Sequence, residues 1–315
     1  MTWKVLISAP YAMPVIDRYR ESLRGAGCEI IVPKVNERLE EHELLPIVGD
    51  IDGIICGDDR ITARVIEAAT RLKVISKWGT GIDSIDVEAA ARRNIKVCNT
   101  PNAFSEPVAD TVFAYILLFA RQVARMNADL RANRWQKPQL FSLREKTLGV
   151  VGVGNCGKAV VRRAVGFGMR VLGSDIVEIS PEFLSRTGIE MVSFPALLKQ
   201  ADFVTVHTTL NPASFHLFND LAFQQMKPGA HLINTSRGPV VDEAALVRAL
   251  ESGKIAGAAL DVFEVEPLPF DSRLRQLDNC WLSPHNANSS PHDADRVHEN
   301  TIKNLINELK RRANA

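Results

Sequence analysis

The stretch VVGVGNCGKAV, Val150 to Val160, decides the fold. Gly152, Gly154 and Gly157 carry the G-x-G-x-x-G spacing of a dinucleotide-binding turn, and an apolar run, TLGVVGVG, leads into it. Asp175 closes the next apolar run, MRVLGSD. It follows Gly154 at the distance of about 20 residues expected for the acid that holds the adenosine ribose. In such a turn the first glycine permits the tight bend and the second lets the backbone approach a pyrophosphate. The third lets the helix pack close to the strand. The free N–H groups and positive dipole end of that helix suit phosphate. The bland alternative is a glycine-rich βα turn with no ligand.

The turn stands mid-chain, so the first half must build something else. It alternates short β-rich runs with helical stretches: KVLISA (Lys4 to Ala9), EIIVP (Glu29 to Pro33), GIICG (Gly53 to Gly57), KVISKWG (Lys73 to Gly79) and IKVCNT (Ile95 to Thr100). Strands separated by helices predict a parallel sheet with crossover helices. From Thr147 the alternation restarts with TLGVVGVG, MRVLGSD, FVTVHT, HLINTS, IAGAALDV and CWLSPH. The expected architecture is α/β, with two doubly wound parallel-sheet domains. A Rossmann domain over 101–285 is inserted into a flavodoxin-like substrate domain made of 1–100 and 286–315. The amphipathic tail TIKNLINELKRR is expected to return to the first domain. Two crossings, near Pro101 and Pro284, suggest hinge closure over a cleft.

Bulk properties narrow the function. The 315-residue chain is 46% hydrophobic and 24% charged with net charge +1. No basic stripe points to nucleic acid, and a small neutral or anionic ligand is the expected partner. The five cysteines are odd in number and show no C-x-x-C spacing. No disulfide framework, zinc site or other metal is expected, and a reducing, cytoplasmic setting fits. The most apolar run, VFAYILLFA at Val112 to Ala120, is nine residues long. A membrane span needs about 20, so it reads as a buried helix. A helix from Ser105 to Met126 is expected there, apolar nearly all round. It would need cover from a second domain or subunit, and a homodimer through it is the expected assembly.

Asp175 also bears on the cofactor. A carboxylate accepts from a ribose 2′-OH and repels a 2′-phosphate. Ile176, Val177 and Glu178 follow it, with no Arg or Lys alongside. NAD is favoured over NADP. Downstream, NTSRGPVVDEAAL, ALDVFEVEP and SPHNA each set a charged or titratable residue at the end of an expected strand, where open α/β sheets bind ligands. Arg237 suits bidentate carboxylate binding. His285 suits proton transfer near neutrality. Glu266 suits holding the second imidazole nitrogen. Taken singly, a surface ion pair, a loop charge and a core histidine are the better explanations.

Together these segments resemble the D-isomer-specific 2-hydroxyacid dehydrogenase family. The similarity runs through KVISKWGTGIDSIDVEAAARRNIKVCNTPNAFSEPVAD, TLGVVGVGNCGKAV, INTSRGPVVDEAAL, GAALDVFEVEP and LSPHNA, in the family's order. The resemblance implies that His285 is the general acid/base, that Glu266 orients it, and that Arg237 binds the substrate carboxylate. Trp78, Gly79, Thr80 and Gly81 would form the carboxylate loop of the other domain. Gly152, Gly154, Asn155, Cys156, Gly157 and Asp175 would bind the dinucleotide, and His207, Thr208, Thr235, Ser236 and Asp261 would line its nicotinamide side. The reaction implied is hydride transfer between NAD and C2 of a small 2-hydroxy acid.

Departures from the family's habit bear on substrate. Asn155-Cys156-Gly157 stands where Ile-Gly is common, and Asn286-Ala287-Asn288 where Ile-Ala-Gly often follows the histidine. After the third strand, where phosphoglycerate dehydrogenases often carry Arg, the chain reads Cys56-Gly57-Asp58-Asp59-Arg60. Arg60 is a candidate phosphate ligand, but two carboxylates beside a phosphate are unfavourable. No C-terminal regulatory domain is expected, nor serine feedback of the kind longer relatives show. Formate is disfavoured, because formate dehydrogenases usually carry Gln where Glu266 stands. A phosphite or phosphonate-alcohol dehydrogenase and a nucleotide-sensing corepressor remain the alternatives.

Overall fold

The computed structural model describes residues 2–313. The chain forms two compact units, Met1–Phe104 with Ser290–Ala315, and Ser105–Ser289.

The first unit is built on a parallel sheet of β1 (Trp3–Ile7), β2 (Cys28–Ile31), β3 (Gly53–Cys56), β4 (Val74–Lys77) and β5 (Lys96–Cys98), in the order β2-β1-β3-β4-β5. The central strands GIIC and VISK are buried at every position, which is why they read as unbroken runs rather than alternations. Its helices are α1 (Arg20–Gly25), α2 (Glu41–Leu44), α3 (Ala63–Ala68) and α4 (Val87–Arg92). Local capping sets their starts: Thr62 Oγ1 accepts from Val65 N–H, and Asp86 from Ala89 N–H. The order reverses between β1 and β3, so the loops after β1, β3 and β4 share one edge of the sheet.

In the second unit a seven-stranded parallel sheet has the order β12-β11-β10-β9-β6-β7-β8. Its strands are β6 (Thr147–Val151), β7 (Arg170–Ser174), β8 (Glu190–Met191), β9 (Phe203–Val206), β10 (His231–Asn234), β11 (Gly257–Leu260) and β12 (Cys280–Leu282). Its helices are α5 (Ser105–Arg121), α6 (Val123–Arg131), α7 (Asn155–Gly166), α8 (Pro181–Thr187), α9 (Phe194–Gln200), α10 (Asp220–Gln225) and α11 (Glu243–Glu251). The last helix, α12 (Pro291–Ala313), returns to the first unit and lies on its sheet. Ser76 Oγ donates to Thr301 O at 2.8 Å, and a Cβ on Gly53 would meet Leu305 at 2.8 Å.

One expectation is corrected. The single helix from Ser105 to Met126 is two helices, bent by 55° at Gln122, which adopts the left-handed conformation (φ 46°, ψ 33°). Nor does α5 need a second domain or subunit to cover it. Ala109, Val112, Phe113, Ile116 and Ala120 bury one face in the unit's own core, and Tyr115, Leu117 and Phe119 pack against the same core. The flat stack of Phe113 on Phe167, at 5.1 Å, ties α5 to the end of α7. Among the described residues no single helix is long and apolar enough to cross a membrane, although the α5–α6 pair passes together on length and composition.

Candidate active site

The glycine turn is built from its own contacts. Gly152 has φ +88°, and a Cβ there would lie 2.7 Å from the His207 carbonyl oxygen. A Cβ on Gly157 would sit 2.1 Å from Gly152 O, so the first turn of α7 closes on β6 only with glycine at that position. Gly154 differs: nothing lies within 4 Å of where its Cβ would be. It caps α7 without a side-chain hydrogen bond, leaving the N–H groups at Asn155 and Cys156 at an uncapped helix end. Cys156 Sγ contacts Ser105 Oγ at 3.5 Å, so the small thiol fills the space beneath the turn. Asp175 follows β7. Its carboxylate accepts from Val153 N–H at 2.6 Å, inside the glycine turn, and from Val177 N–H at 3.0 Å. Ile176 beside it is 96% exposed.

Two further features suit a dinucleotide. The hydroxyls of Thr208 and Thr235, just beyond β9 and β10, are buried and have no hydrogen-bond partner among the described residues. A buried hydroxyl without a partner costs about 1–3 kcal/mol, so a polar ligand is the natural complement. Ser236 is spoken for, because its N–H and Oγ both donate to Asn234 Oδ1. His207 lies against Thr205 Oγ1 at 2.9 Å, and burial pushes its pKa down to about 4. It is therefore neutral at pH 7, and its backbone carbonyl lies against Gly152. The open face over Gly154, the uncapped helix end, the acid at Asp175 and the two unpartnered hydroxyls fit NAD.

Arg237, Glu266 and His285 follow β10, β11 and β12, three adjacent strands of one sheet. His285 Nδ1 lies 2.9 Å from Glu266 Oε2, and Glu266 Oε1 accepts from Phe263 N–H at 2.9 Å. The carboxylate is thus fixed at both oxygens. Arg237 is held at backbone and side chain: Asn234 Nδ2 donates to Arg237 O at 2.9 Å, and Arg237 Nη1 donates to Ser236 O at 2.9 Å. Gly238 presses its backbone on the Phe263–Glu264 peptide, where a Cβ would fall 1.9 Å from Phe263 C. That contact knits the arginine segment to the glutamate segment.

Sequence reasoning assigned Asp261 to the nicotinamide side. The structure shows it buried, with Oδ1 accepting from Ser283 Oγ and Asn286 N–H and Oδ2 from Ala287 N–H. His285 N–H donates to Asp261 O at 2.7 Å. Asp261 therefore builds the turn on which His285 sits at φ 48°. Tyr115 and Ser283 extend that network, with 2.6 Å between their hydroxyls. Neither residue was picked out from sequence, since a lone Tyr on an apolar helix carries no local signal.

In the first unit, Trp78 is buried and precedes Gly79, whose φ of +114° only glycine adopts readily. Thr100 N–H donates to Gly79 O at 2.8 Å, Thr80 Oγ1 to Thr100 O at 2.9 Å, and Asn99 Nδ2 to Thr80 O at 2.6 Å. The loop reaching Gly81 is thus pinned to the end of β5. Of the two carboxylates after β3, Asp59 is fully buried and accepts from Ser8 Oγ, Leu39 N–H and Gly57 N–H. It is a loop-building residue. Asp58 pairs with the buried Lys77 at 2.8 Å. Arg60 is exposed, with its main-chain N–H on Leu39 O.

The model of the D-isomer-specific 2-hydroxyacid dehydrogenase NAD-binding domain matches residues 113–287. The chain belongs to the D-isomer-specific 2-hydroxyacid dehydrogenase family. It is 41% identical over 254 residues to glyoxylate reductase of Korarchaeum cryptofilum, covering 79% of this chain and 76% of the relative. It is 37% identical over 294 residues to human D-3-phosphoglycerate dehydrogenase, covering 92% of this chain but 54% of that longer protein. Among solved structures, D-lactate dehydrogenase of Aquifex aeolicus, complexed with NAD and lactic acid, superposes with a TM-score of 0.88 at 28% identity, over 98% of this chain and 95% of that one. This family member is an NAD-dependent oxidoreductase with two parallel-sheet α/β units.

Proposed function

We propose that the protein interconverts a small 2-oxo acid and the corresponding D-2-hydroxy acid, with His285 as acid/base, Glu266 as its orienting partner and Arg237 as the carboxylate clamp. The observation that carries this reading is the 2.9 Å contact of His285 Nδ1 with Glu266 Oε2, at the strand end next to the Arg237 segment. With Nδ1 engaged by the carboxylate, Nε2 is the nitrogen left to exchange a proton with the substrate oxygen. In reduction His285 gives that proton to the carbonyl oxygen, and in oxidation it takes the hydroxyl proton. Arg237 grips the carboxylate with a planar fork and polarises the neighbouring carbonyl. Bound NADH supplies the hydride. Gly152, Gly154, Asn155, Cys156 and Gly157 would face the pyrophosphate. Asp175 would face the ribose, and Thr208 and Thr235 the nicotinamide side.

In this reading the amides of Gly79, Thr80 and Gly81 hold the substrate carboxylate. An unphosphorylated substrate such as glyoxylate or hydroxypyruvate is favoured. The buried cation Lys77 is already neutralised by Asp58, and Arg60 stands exposed, so the loop after β3 offers a phosphate no buried unpaired cation among the described residues. The names of the glyoxylate reductases among the relatives agree with this. The test is NADH consumption with glyoxylate, hydroxypyruvate and 3-phosphohydroxypyruvate, repeated with NADPH. Turnover of the first two with NADH supports the reading, and a marked preference for the phosphorylated acid would move the substrate assignment to phosphoglycerate.

Homodimer formation is part of the same proposal. Val123 and Leu130 on α6 and Trp135 just after it are exposed at 61%, 55% and 78%. Such apolar side chains gathered in one short segment suit a partner surface. Light scattering on a size-exclusion column decides it. A reducing, cytoplasmic setting belongs to the same proposal and rests on five cysteines without C-x-x-C spacing.

A further inference from the structure

We propose that His298, on the tail helix α12, is a positioning residue for the Gly79–Gly81 loop, acting through the indole of Trp78. Trp78 Nε1 donates to His298 Nδ1 at 2.9 Å inside the first unit. An indole N–H only donates, so His298 Nδ1 must be unprotonated, and the bond exists only with the neutral imidazole. The main-chain N–H of Trp78 donates to Cys56 O at 2.9 Å, and its indole is otherwise flanked by rings: Tyr11 stacks on it at 4.8 Å, and Phe104 tilts against it at 5.5 Å. The hydrogen bond is what sets the indole in one orientation. Trp78 is covalently next to Gly79, so its orientation sets where the loop begins. Gly79 and Thr80 are themselves tied to Asn99 and Thr100. The backbone at Gly79 and Thr80 thus rests on the end of β5, and the indole beside it rests on α12.

The setting keeps His298 neutral. Burial lowers its pKa, Asp295 one turn earlier raises it, and Arg18 lowers it. Those two charges pair with each other at 3.2 Å. Tyr19, from the 3₁₀ segment Met13–Tyr19, packs its ring at 6.2 Å, and Glu299 on α12 stands next in sequence. A small cavity lined by Trp78, His298, Tyr19, Ile16, Ile55 and Thr301 adjoins the pair. The buried Thr301 hydroxyl has no hydrogen-bond partner among the described residues. Protonation of Nδ1 removes the acceptor and leaves the buried indole N–H without its partner. As pH falls through the lowered pKa, the Trp78 bond is lost and the loop loses its α12 support. Substrate affinity should fall while the acid/base step at His285 is untouched.

The inference rests on the reading of Gly79 to Gly81 as the carboxylate grip. Its test uses the full-length protein and glyoxylate as substrate. His298→Leu removes the acceptor and should raise KM about three- to tenfold at pH 7.5, the worth of one hydrogen bond, with kcat within twofold. His298→Gln keeps an acceptor that does not titrate, and should hold KM within about twofold of the parent. Below pH 6 the parent KM should climb away from that of His298→Gln. In parallel, Trp78 fluorescence, isolated by difference against Trp78→Phe, should titrate in the parent and not in His298→Gln. The proposal is overturned if His298→Leu leaves KM unchanged or lowers kcat in step, if His298→Gln behaves like His298→Leu, or if Trp78 fluorescence does not follow His298. If the parent reduces no 2-oxo acid, the substrate reading fails on its own account. The fluorescence titration then upholds or overturns the Trp78–His298 link without it.

Discussion

Asp261 and His285 are joined through both backbone and side chain. The His285 N–H donates to the Asp261 carbonyl at 2.7 Å, and the Asp261 carboxylate holds the next two N–H groups, of Asn286 and Ala287, at 2.9 Å each. The arrangement keeps a non-glycine residue at positive φ, a conformation that costs about 1 kcal/mol or more unless its surroundings enforce it. Asp261→Asn replaces one acceptor oxygen with an NH₂ facing a donor. It should cost about 1.5–3 kcal/mol of stability and lower kcat by misplacing His285. Thermal melts together with steady-state kinetics test this. A stable variant with parental kcat would show that the turn holds without the carboxylate.

His285→Ala should lower turnover by roughly 10²- to 10⁴-fold, the usual contribution of a positioned acid/base, or about 3–5 kcal/mol of barrier. NADH affinity should stay near the parental value, since the glycine turn is built on other strands. Turnover within a few-fold of the parent would remove His285 from the mechanism. Glu266→Gln should lower kcat less, because it keeps a hydrogen-bond acceptor for the imidazole and loses only the charge.

Gly154 and Gly157 should separate binding from folding. Gly154→Ala places a methyl in open space and should melt near the parent. It should nonetheless weaken NADH by tenfold or more, because the methyl stands where the backbone must approach phosphate. Gly157→Ala drives a methyl onto Gly152 O at 2.1 Å and should cost at least about 1–3 kcal/mol. Equal NADH affinity in Gly154→Ala and the parent would move the pyrophosphate elsewhere.

Asp175 should give the parent at least a tenfold preference for NADH over NADPH in kcat/KM, since a carboxylate facing a 2′-phosphate costs several kcal/mol. Asp175→Ala should narrow that ratio and also loosen the turn, because Val153 N–H loses its acceptor. Equal use of both cofactors by the parent is the result that sinks this assignment.

His207 and His231 should make the protein acid-sensitive. Burial pushes both pKa values down from 6.5 to about 4. A base with a lowered folded pKa contributes stability that is fully present above pH 6.5 and is lost as pH falls from there towards 4. About 1–3 kcal/mol from each is expected. Urea midpoints between pH 7.5 and 4.5 measure it. His231→Phe, which preserves the stack with Phe203 and Phe119, should flatten the pH dependence. An unchanged slope in that variant would rule out His231 as a source.

The elements legible in the sequence were those whose signal is local. All five strands of the first sheet and six of the second showed as apolar runs between turn residues. The exceptions have physical reasons. β8 is two residues long, too short for any period, and is recognised only by its pairing to β7. The break at Gln122 comes from a left-handed backbone in a residue with no strong preference for it, inside a run that reads as helix throughout. Asp59 read as a charge beside the ligand and is instead a buried hub for the Ser8, Leu39 and Gly57 segments.

The sequence by itself determined the two parallel-sheet units, the glycine turn with its acid, and the order of Arg237, Glu266 and His285. Apolar runs, glycine spacing and segment order are properties of the chain read in one dimension. Only the tertiary structure decided that Asp261 serves the His285 turn, that α5 is covered by its own unit, and that Trp78 hangs from His298. Each of these depends on which distant group meets a donor or acceptor once the chain is packed, and a buried polar atom takes the partner that packing supplies.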